Sequence, residues 1–242
     1  MNHLAAQLPW PRVKALAAEG AWALLPVGST EAHGPHLPLN VDVVIAQEVC
    51  RRVGAALESV EFPPLAYSLT EFAAPFAGTV SLSADTARAL LVGVLRGIGL
   101  AGFGRVCVIN HHLEPAHFKL VHAAAAEAQT NASFRIVVPD HRRKPTGPKL
   151  GDEFMHGGSH AGCYETSLML AAAPQLVDRQ HLAELPALEI NLPQVIKDGA
   201  KNFLECGGAN AYFGVPSSAT AQEGERLFAL LVEATLATFV GT

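Results

Sequence analysis

The chain predicts a layered α/β/α architecture, a single α/β domain over residues 1–242 with a mostly parallel sheet, and two observations carry that expectation. Short apolar runs closed by glycine or asparagine alternate along the sequence with longer stretches at helical spacing, the pattern of strands followed by covering helices. Half of the residues are apolar and only 16% are charged, below the roughly 25% of an average soluble domain, so much of the chain must be buried. No repeat, low-complexity block or flexible linker divides it.

Taken in order, residues 21–27 form a short apolar run ending in Gly28 and read as a buried strand. Residues 41–57 follow at helical spacing, with Asn40 as the expected cap. Residues 83–100 read as an amphipathic helix capped by Ser83, 105–109 as a second buried strand, and 115–129 as a helix with proline in its first turn. A β-branched segment at 134–138 gives another strand. A helix at 163–173 is stopped by Pro174, and a long helix at 219–239 closes the pattern.

Composition excludes several function classes. The formal net charge is −5, and lysine and arginine are scattered singly apart from Arg142, Arg143 and Lys144; no electrostatic footprint for nucleic acid exists. Apolar stretches are broken well before the roughly 18 residues of a membrane span, and the segment from Met1 to Trp10 has neither the basic nor the apolar part of a leader. A cytoplasmic protein with a small-molecule substrate is expected. The mean hydropathy of +0.24 points to buried subunit interfaces and hence a homo-oligomer. Cys50, Cys107, Cys163 and Cys206 show no paired spacing and are expected as free thiols.

In parallel sheets ligands bind beyond the carboxyl ends of the strands, and the loops there hold the unusual residues. The first is Gly28-Ser-Thr-Glu31-Ala-His33-Gly-Pro-His36-Leu-Pro-Leu-Asn-Val-Asp42; the second is Asn110-His111-His112-Leu-Glu114-Pro115. Glu31 with His33, and His112 with Glu114, stand at alternate positions, which in extended backbone point side chains the same way. With Asp42 these supply three carboxylates and two imidazoles, a donor set for divalent ions. Three negative charges against two divalent ions leave one positive charge for a bridging hydroxide, whereas a single zinc would be over-neutralised. Two adjacent ions sharing a carboxylate, here expected to be Asp42, polarise a carbonyl and lower the pKa of water towards about 7. His36 is expected to pack or to support a ligand. His3, His117, His122 and His181 read as surface or helix-face residues.

The segment Leu25-Pro-Val-Gly-Ser-Thr-Glu31-Ala-His33-Gly-Pro-His36-Leu-Pro-Leu-Asn-Val-Asp42 resembles the signature of the creatininase (creatinine amidohydrolase) family. The likeness extends to Gly78-Thr-Val-Ser-Leu82, to Asn110-His111-His112-Leu-Glu114, to His160-Ala-Gly-Cys-Tyr-Glu165-Thr-Ser-Leu-Met-Leu170, and to Gly214-Val-Pro216 with Ala219-Thr-Ala-Gln-Glu-Gly224. It implies one α/β domain, a hexamer as in the family's namesake, and two divalent metal ions per chain, zinc, manganese or iron. The implied metal ligands are Glu31, Asp42 and His112 for one ion and His33, Asp42 and Glu114 for the other, with a bridging water attacking the substrate carbonyl.

The resemblance also implies catalytic positions at His160 and Glu165. His160 is expected to shuttle a proton to the leaving nitrogen, and Glu165 to orient a neighbour. The expected activity is that of a metal-dependent amidohydrolase opening a C–N bond in a small, cyclic amide. The creatinine-hydrolysing branch closes tryptophans over its substrate and has tyrosine at the position of Leu113, whereas the tryptophans here are Trp10 and Trp22, which leaves creatinine itself open. His141, Arg142, Arg143 and Lys144 follow a strand end and offer either an anion contact or a solvated loop, and Met155 and His156 lie near the same rim.

Two alternatives keep the metals and change the bond: a formamide deformylase, or a hydrolase that opens a keto-cyclitol ring. An alternative of another class is a non-catalytic metal-binding or assembly subunit. A serine hydrolase is disfavoured because Gly28-Ser29-Thr-Glu-Ala lacks the second glycine of a nucleophile elbow. Nucleotide fingerprints are absent too, since Gly102-Phe-Gly104 precedes a strand instead of opening a helix.

Overall fold

A computed structural model describes residues 1–157 and 159–239. Residue 158 and the last three residues of the expected domain, 240–242, lie outside the described residues.

The elements run β1 (Asn2–Leu4), α1 (Trp10–Ala18), β2 (Trp22–Val27), α2 (Val41–Gly54), β3 (Ser59–Glu61), α3 (Ala84–Leu100), β4 (Arg105–Asn110), α4 (Pro115–Gln129) and β5 (Arg135–Val137). They continue with α5 (Asp152–Met155), α6 (Cys163–Ala172), α7 (Arg179–Glu184), α8 (Leu192–Lys197) and α9 (Ala221–Ala237). The strands form one five-stranded sheet of order β1-β3-β2-β4-β5. Every pairing in it is parallel, so the expected mostly parallel sheet is wholly parallel among the described residues.

Alternation along the two central strands builds the layers. Trp22 and Leu24 of β2, with Cys107 and Ile109 of β4, face a core formed by α2, α6 and α9, where Ile45, Leu168 and Phe228 are fully buried. Ala23, Leu25 and Val27, with Val106 and Val108, face α1, α3 and α4 through Leu16, Leu95 and Val121. Both faces of β2 are covered, which is why its sequence reads as an unbroken apolar run. Each fully buried aliphatic or aromatic side chain of this kind contributes about 1.5–3 kcal/mol. A third cluster, with Phe203, Cys206 and Phe213, roofs the loops instead of the sheet.

Several boundaries and caps differ from expectation. The expected 41–57 helix ends at Gly54, the final helix runs Ala221–Ala237, and β5 is three residues long. Ser83 caps α3 as expected, accepting from the Thr86 amide at 3.3 Å. Asn40 makes no side-chain cap on α2; its backbone carbonyl accepts from Val44 N instead. Strands β1 and β3 and helix α1 went unseen in the sequence because three-residue strands carry too little periodicity to register. All four cysteines are free. Among the described residues no helix is long and apolar enough to cross a membrane.

Candidate metal centre

The C-terminal ends of β2 and β4 lie side by side, with Val27 paired to Asn110, and this pairing brings the two unusual loops together. The loop after β2 is fixed by backbone bonds from Glu31 N to Leu39 O at 3.0 Å and from Val80 N to Thr30 O at 2.9 Å. Where β2 ends, a side chain on Gly28 would sit 2.6 Å from Val43 N and 2.9 Å from Asp42 Cβ, so only glycine lets the first turn of α2 approach this closely. Asp42 is thereby aimed at the strand ends from the start of a helix. In the second loop, Asn110 Nδ2 donates to the His112 carbonyl at 2.8 Å, and Pro115 opens α4.

Glu31, His33, Asp42, His112, His160 and Glu165 converge there, each less than a tenth exposed. Three trios offer ligand atoms within 4.8 Å of one another: Glu31, Asp42 and His112; His33, Asp42 and Glu165; and Glu31, His33 and His160. The two oxygens of Asp42 are divided between the first two. His112 Nδ1 is 3.2 Å from Asp42 Oδ2 and 3.3 Å from Glu31 Oε1. His33 Nε2 is 3.7 Å from Asp42 Oδ1 and 3.6 Å from Glu165 Oε2.

Hydrogen bonds on the far side of each imidazole set its tautomer. His33 Nδ1 donates to the Glu31 carbonyl at 3.1 Å, and His112 Nε2 donates to the Leu69 carbonyl at 3.0 Å. His160 Nε2 donates to the Ala32 carbonyl at 3.0 Å. In each ring the remaining nitrogen faces the cluster, the arrangement of a metal-ligating histidine held by a carbonyl behind it. His33 Nε2 is buried and has no hydrogen-bond partner.

The electrostatics match that donor set. Three carboxylates are buried together, and among the described residues no lysine or arginine pairs with any of them. Burial opposes a charge on His33, yet Glu165, Asp42 and Glu31 raise it to about 10. Burial likewise opposes a charge on His112, and Glu31 and Asp42 raise it well above the ordinary imidazole range. Burial would push Asp42 up, but the imidazoles of His111, His112 and His33 hold it well below the carboxylate range. Burial drives Glu165 up to about 8 against the pull of His33. Protons on two imidazoles here do what cations would do: they neutralise buried negative charge that is otherwise costly by several kcal/mol per ion. Residues and charge therefore fit divalent ions.

The two late glutamates differ from expectation. Glu165, read as an orienting residue, offers a ligand oxygen beside His33 and Asp42. Glu114 belongs to none of the three trios; its carboxylate accepts from the amides of Glu71 at 3.2 Å and Phe72 at 3.1 Å. It still lines the same pocket, and burial raises its carboxyl above the ordinary range.

Sequence reasoning missed the residues behind the cluster. Ser29 donates to Asp42 Oδ2 at 2.7 Å, and Thr70 donates to Glu31 Oε2. His111 lies 3.4 Å from Asp42 Oδ1 and 3.2 Å from the Tyr164 hydroxyl. His117, expected on a helix face, is fully buried: it contacts Ser68 Oγ at 2.7 Å and Asn110 Oδ1 at 2.8 Å and packs on the His112 ring. A histidine in an apolar helical stripe was the available signal, but only the sheet shows what it faces. His36 is a supporting residue as expected, bonded to Thr166 Oγ1 at 2.8 Å.

A pocket of about 360 Å³ opens onto the cluster, walled by Phe72, Leu192, Ile196 and Phe203, with Arg142 also at its lining. Met155, expected near the rim, lines it and is half-exposed.

A parallel α/β sheet with a buried carboxylate–imidazole cluster at its strand ends defines an α/β protein with a candidate metal-binding site. The family model of creatininase, creatinine amidohydrolase, matches residues 6–239, and the chain belongs to that family. The mycofactocin precursor peptide peptidase of Mycobacterium ulcerans is 30% identical over 94% of this chain and 84% of its own length. The creatinine amidohydrolase of Pseudomonas putida is 30% identical over 74% of this chain and 75% of its own. A mutant creatininase complexed with creatine superposes with a TM-score of 0.82 at 23% identity, over 99% of this chain and 98% of that one. The Mn creatininase gives 0.79 at 24% identity, over 99% and 98%.

Proposed function

We propose that this chain is a dinuclear metal-dependent amidohydrolase that cleaves a C–N bond of a small amide. The division of Asp42's oxygens between two ligand trios carries the reading, because one carboxylate facing two donor sets is what a bridging ligand requires. Glu31, Asp42 and His112 would hold one ion; His33, Asp42 and Glu165 would hold the other. When bound, such ions polarise the amide carbonyl and supply a nucleophilic water at neutral pH.

The chain's own residues do the rest. Ser29 and His111 orient Asp42, and Thr70 orients Glu31, so the donor atoms keep their positions as charge changes. His160, with Nε2 anchored on Ala32, carries its proton traffic at Nδ1, 3.7 Å from Glu31 Oε1. Burial, together with the His33 charge, lowers His160 well below the ordinary imidazole range. Glu114, raised by burial, is a carboxyl in the lining of the same pocket suited to take and return a proton. The apolar walls exclude water from the amide.

Peptide-bond hydrolysis is the second reading, favoured by the mycobacterial peptidase relative and by the walls of the pocket. Trp10 is 74% exposed and Trp22 stacks on Phe239 at 4.2 Å, so neither covers a flat ring substrate in that pocket. Exposed Trp10, Leu90 and Leu100 support association of several copies, the hexamer being the form the resemblance implies.

The test is elemental analysis of protein purified without added metal, repeated after reconstitution with zinc, manganese or iron. Each preparation is then assayed on cyclic amides, formamides and short peptides. Two ions per chain with metal-dependent hydrolysis are expected; no stoichiometric metal after reconstitution would overturn the reading and return the non-catalytic alternative.

A further inference from the structure

The pocket in front of the carboxylate cluster has one arginine and no lysine at its lining among the described residues, Arg142. It lies just beyond the carboxyl end of β5, where parallel sheets present ligand-binding groups. Its guanidinium is clamped: Nε contacts Asp140 Oδ1 at 3.0 Å and Nη2 contacts Oδ2 at 3.3 Å, while the ring of Phe118 lies 3.2 Å beneath it. The backbone holds the same loop, with Arg142 N donating to Asp140 Oδ1 at 3.2 Å and Gly147 N donating to Arg143 O at 2.7 Å.

This pairing does not consume the charge. Asp140 also faces Arg143, whose Nε is 3.0 Å from Oδ2, so two guanidinium groups share one carboxylate and one positive charge remains. Arg143 is 82% exposed and points at solvent; Arg142 is 31% exposed and stands at the pocket. Among the described residues no hydrogen bond occupies Arg142 Nη1. A guanidinium whose plane is fixed on one edge and one face, with Nη1 still open, is organised for a planar anion.

The rest of the pocket says which end of a substrate that anion is. Glu31, Asp42, Glu114 and Glu165 line it too, so a second negative group is repelled from the reacting end. Between lies an apolar wall of Phe72, Leu192, Ile196 and Phe203. We infer that Arg142 is a specificity-determining residue that binds a carboxylate on the substrate, so that the chain acts on amides carrying an apolar group and a carboxylate. This inference rests on the amidohydrolase reading. Two sources offer the same chemistry, a small acyl amino acid and the C-terminus of a peptide.

The experiment measures binding and turnover separately on metal-loaded protein. Four probes are titrated calorimetrically and assayed for hydrolysis: N-acetyl-leucine and its C-terminal amide, and N-acetyl-Ala-Ala-Leu as acid and as amide. The wild type is expected to bind the acid of a pair about 10- to 100-fold more tightly than the amide, the range of a charge-assisted hydrogen-bonded pair. Arg142→Gln removes that preference, Arg142→Lys keeps part of it, and Arg143→Gln leaves it unchanged, with the metal content of all variants unaltered. The pair showing the larger preference identifies the source. Equal binding of acid and amide by the wild type, a preference that survives in Arg142→Gln, or binding of none of the probes overturns the assignment. Carboxylate-selective binding without hydrolysis of any probe or amide would leave Arg142 standing and remove the amidohydrolase reading; metal-dependent hydrolysis without selectivity would do the reverse.

Discussion

His33 Nε2 lies 3.6 Å from Glu165 Oε2, joining the loop after β2 to the first turn of α6 across the strand ends. This contact places Glu165, and not Glu114, within ligand-atom range of His33 and Asp42. It also distinguishes the two glutamates experimentally.

Glu165→Gln should lower metal content from two ions per chain to about one and reduce hydrolysis by at least 100-fold, since an amide is a poor substitute for an anionic ligand. Glu114→Gln should keep both ions, because its carboxylate accepts backbone amides of Glu71 and Phe72. Elemental analysis of the two variants side by side checks both statements; loss of an ion in Glu114→Gln alone would reverse the ligand sets.

Chelation should leave a folded protein with His33 and His112 carrying protons, since the carboxylates raise His33 to about 10 and His112 well above its ordinary value. Refilling at pH 7 must then displace them together with the proton on Glu165, whose carboxyl is raised to about 8, and about three protons per chain should be released. Calorimetric titration in buffers of different ionisation enthalpy reads that number. Metal uptake should also raise the melting temperature in a concentration-dependent way.

His117→Ala should cost about 2–4 kcal/mol of stability, because it leaves a cavity and strands buried polar partners. Those partners are Ser68 Oγ and Asn110 Oδ1. Asn110 also holds the His112 carbonyl, so metal affinity should fall about 10-fold in molecules that remain folded. Denaturant melts and a competitive chelator titration separate the two effects.

Glu61 gives a pH dependence remote from the cluster. Burial on β3, between β1 and β2, raises its carboxyl above the ordinary range despite the bond from Asn2 Nδ2 at 2.8 Å. The folded state therefore holds the Glu61 proton more tightly than the unfolded chain, and this site's contribution to stability falls as pH rises from about 4.5 through the folded value. Glu61→Gln should be the more stable protein at pH 7, with the difference shrinking as pH falls through the folded value to about 4.5. Equal stability at both pH values would show that the buried carboxylate carries no such penalty.

Legibility in the sequence followed the range over which each feature is encoded. The central strands were readable because β2 and β4 are buried on both faces and must be apolar throughout. Helices α3 and α4 were readable from a serine cap and an initial proline. The three-residue strands β1 and β3 were not, because so short a segment is held only by pairing, β1 with Ser59–Glu61 and β3 with both β1 and Trp22–Leu24. At the site, Glu31, His33, Asp42 and His112 stood out because two short loops concentrate donors at alternate spacing. His111, Thr70 and His117 did not, for single polar residues acquire their roles from what the sheet sets opposite them.

The sequence by itself determined the parallel α/β class, the two donor-bearing loops, the five-residue ligand hypothesis and the family resemblance, all properties written in local order. Tertiary structure alone decided that Asp42 divides its oxygens between His33 and His112, that Glu165 joins them and Glu114 stands aside, and that Arg142 overlooks the same pocket. The physical reason is that coordination depends on which atoms come within a few ångströms. Pairing of Val27 with Asn110 at the ends of two parallel strands, and the docking of α6 beside them, set those distances.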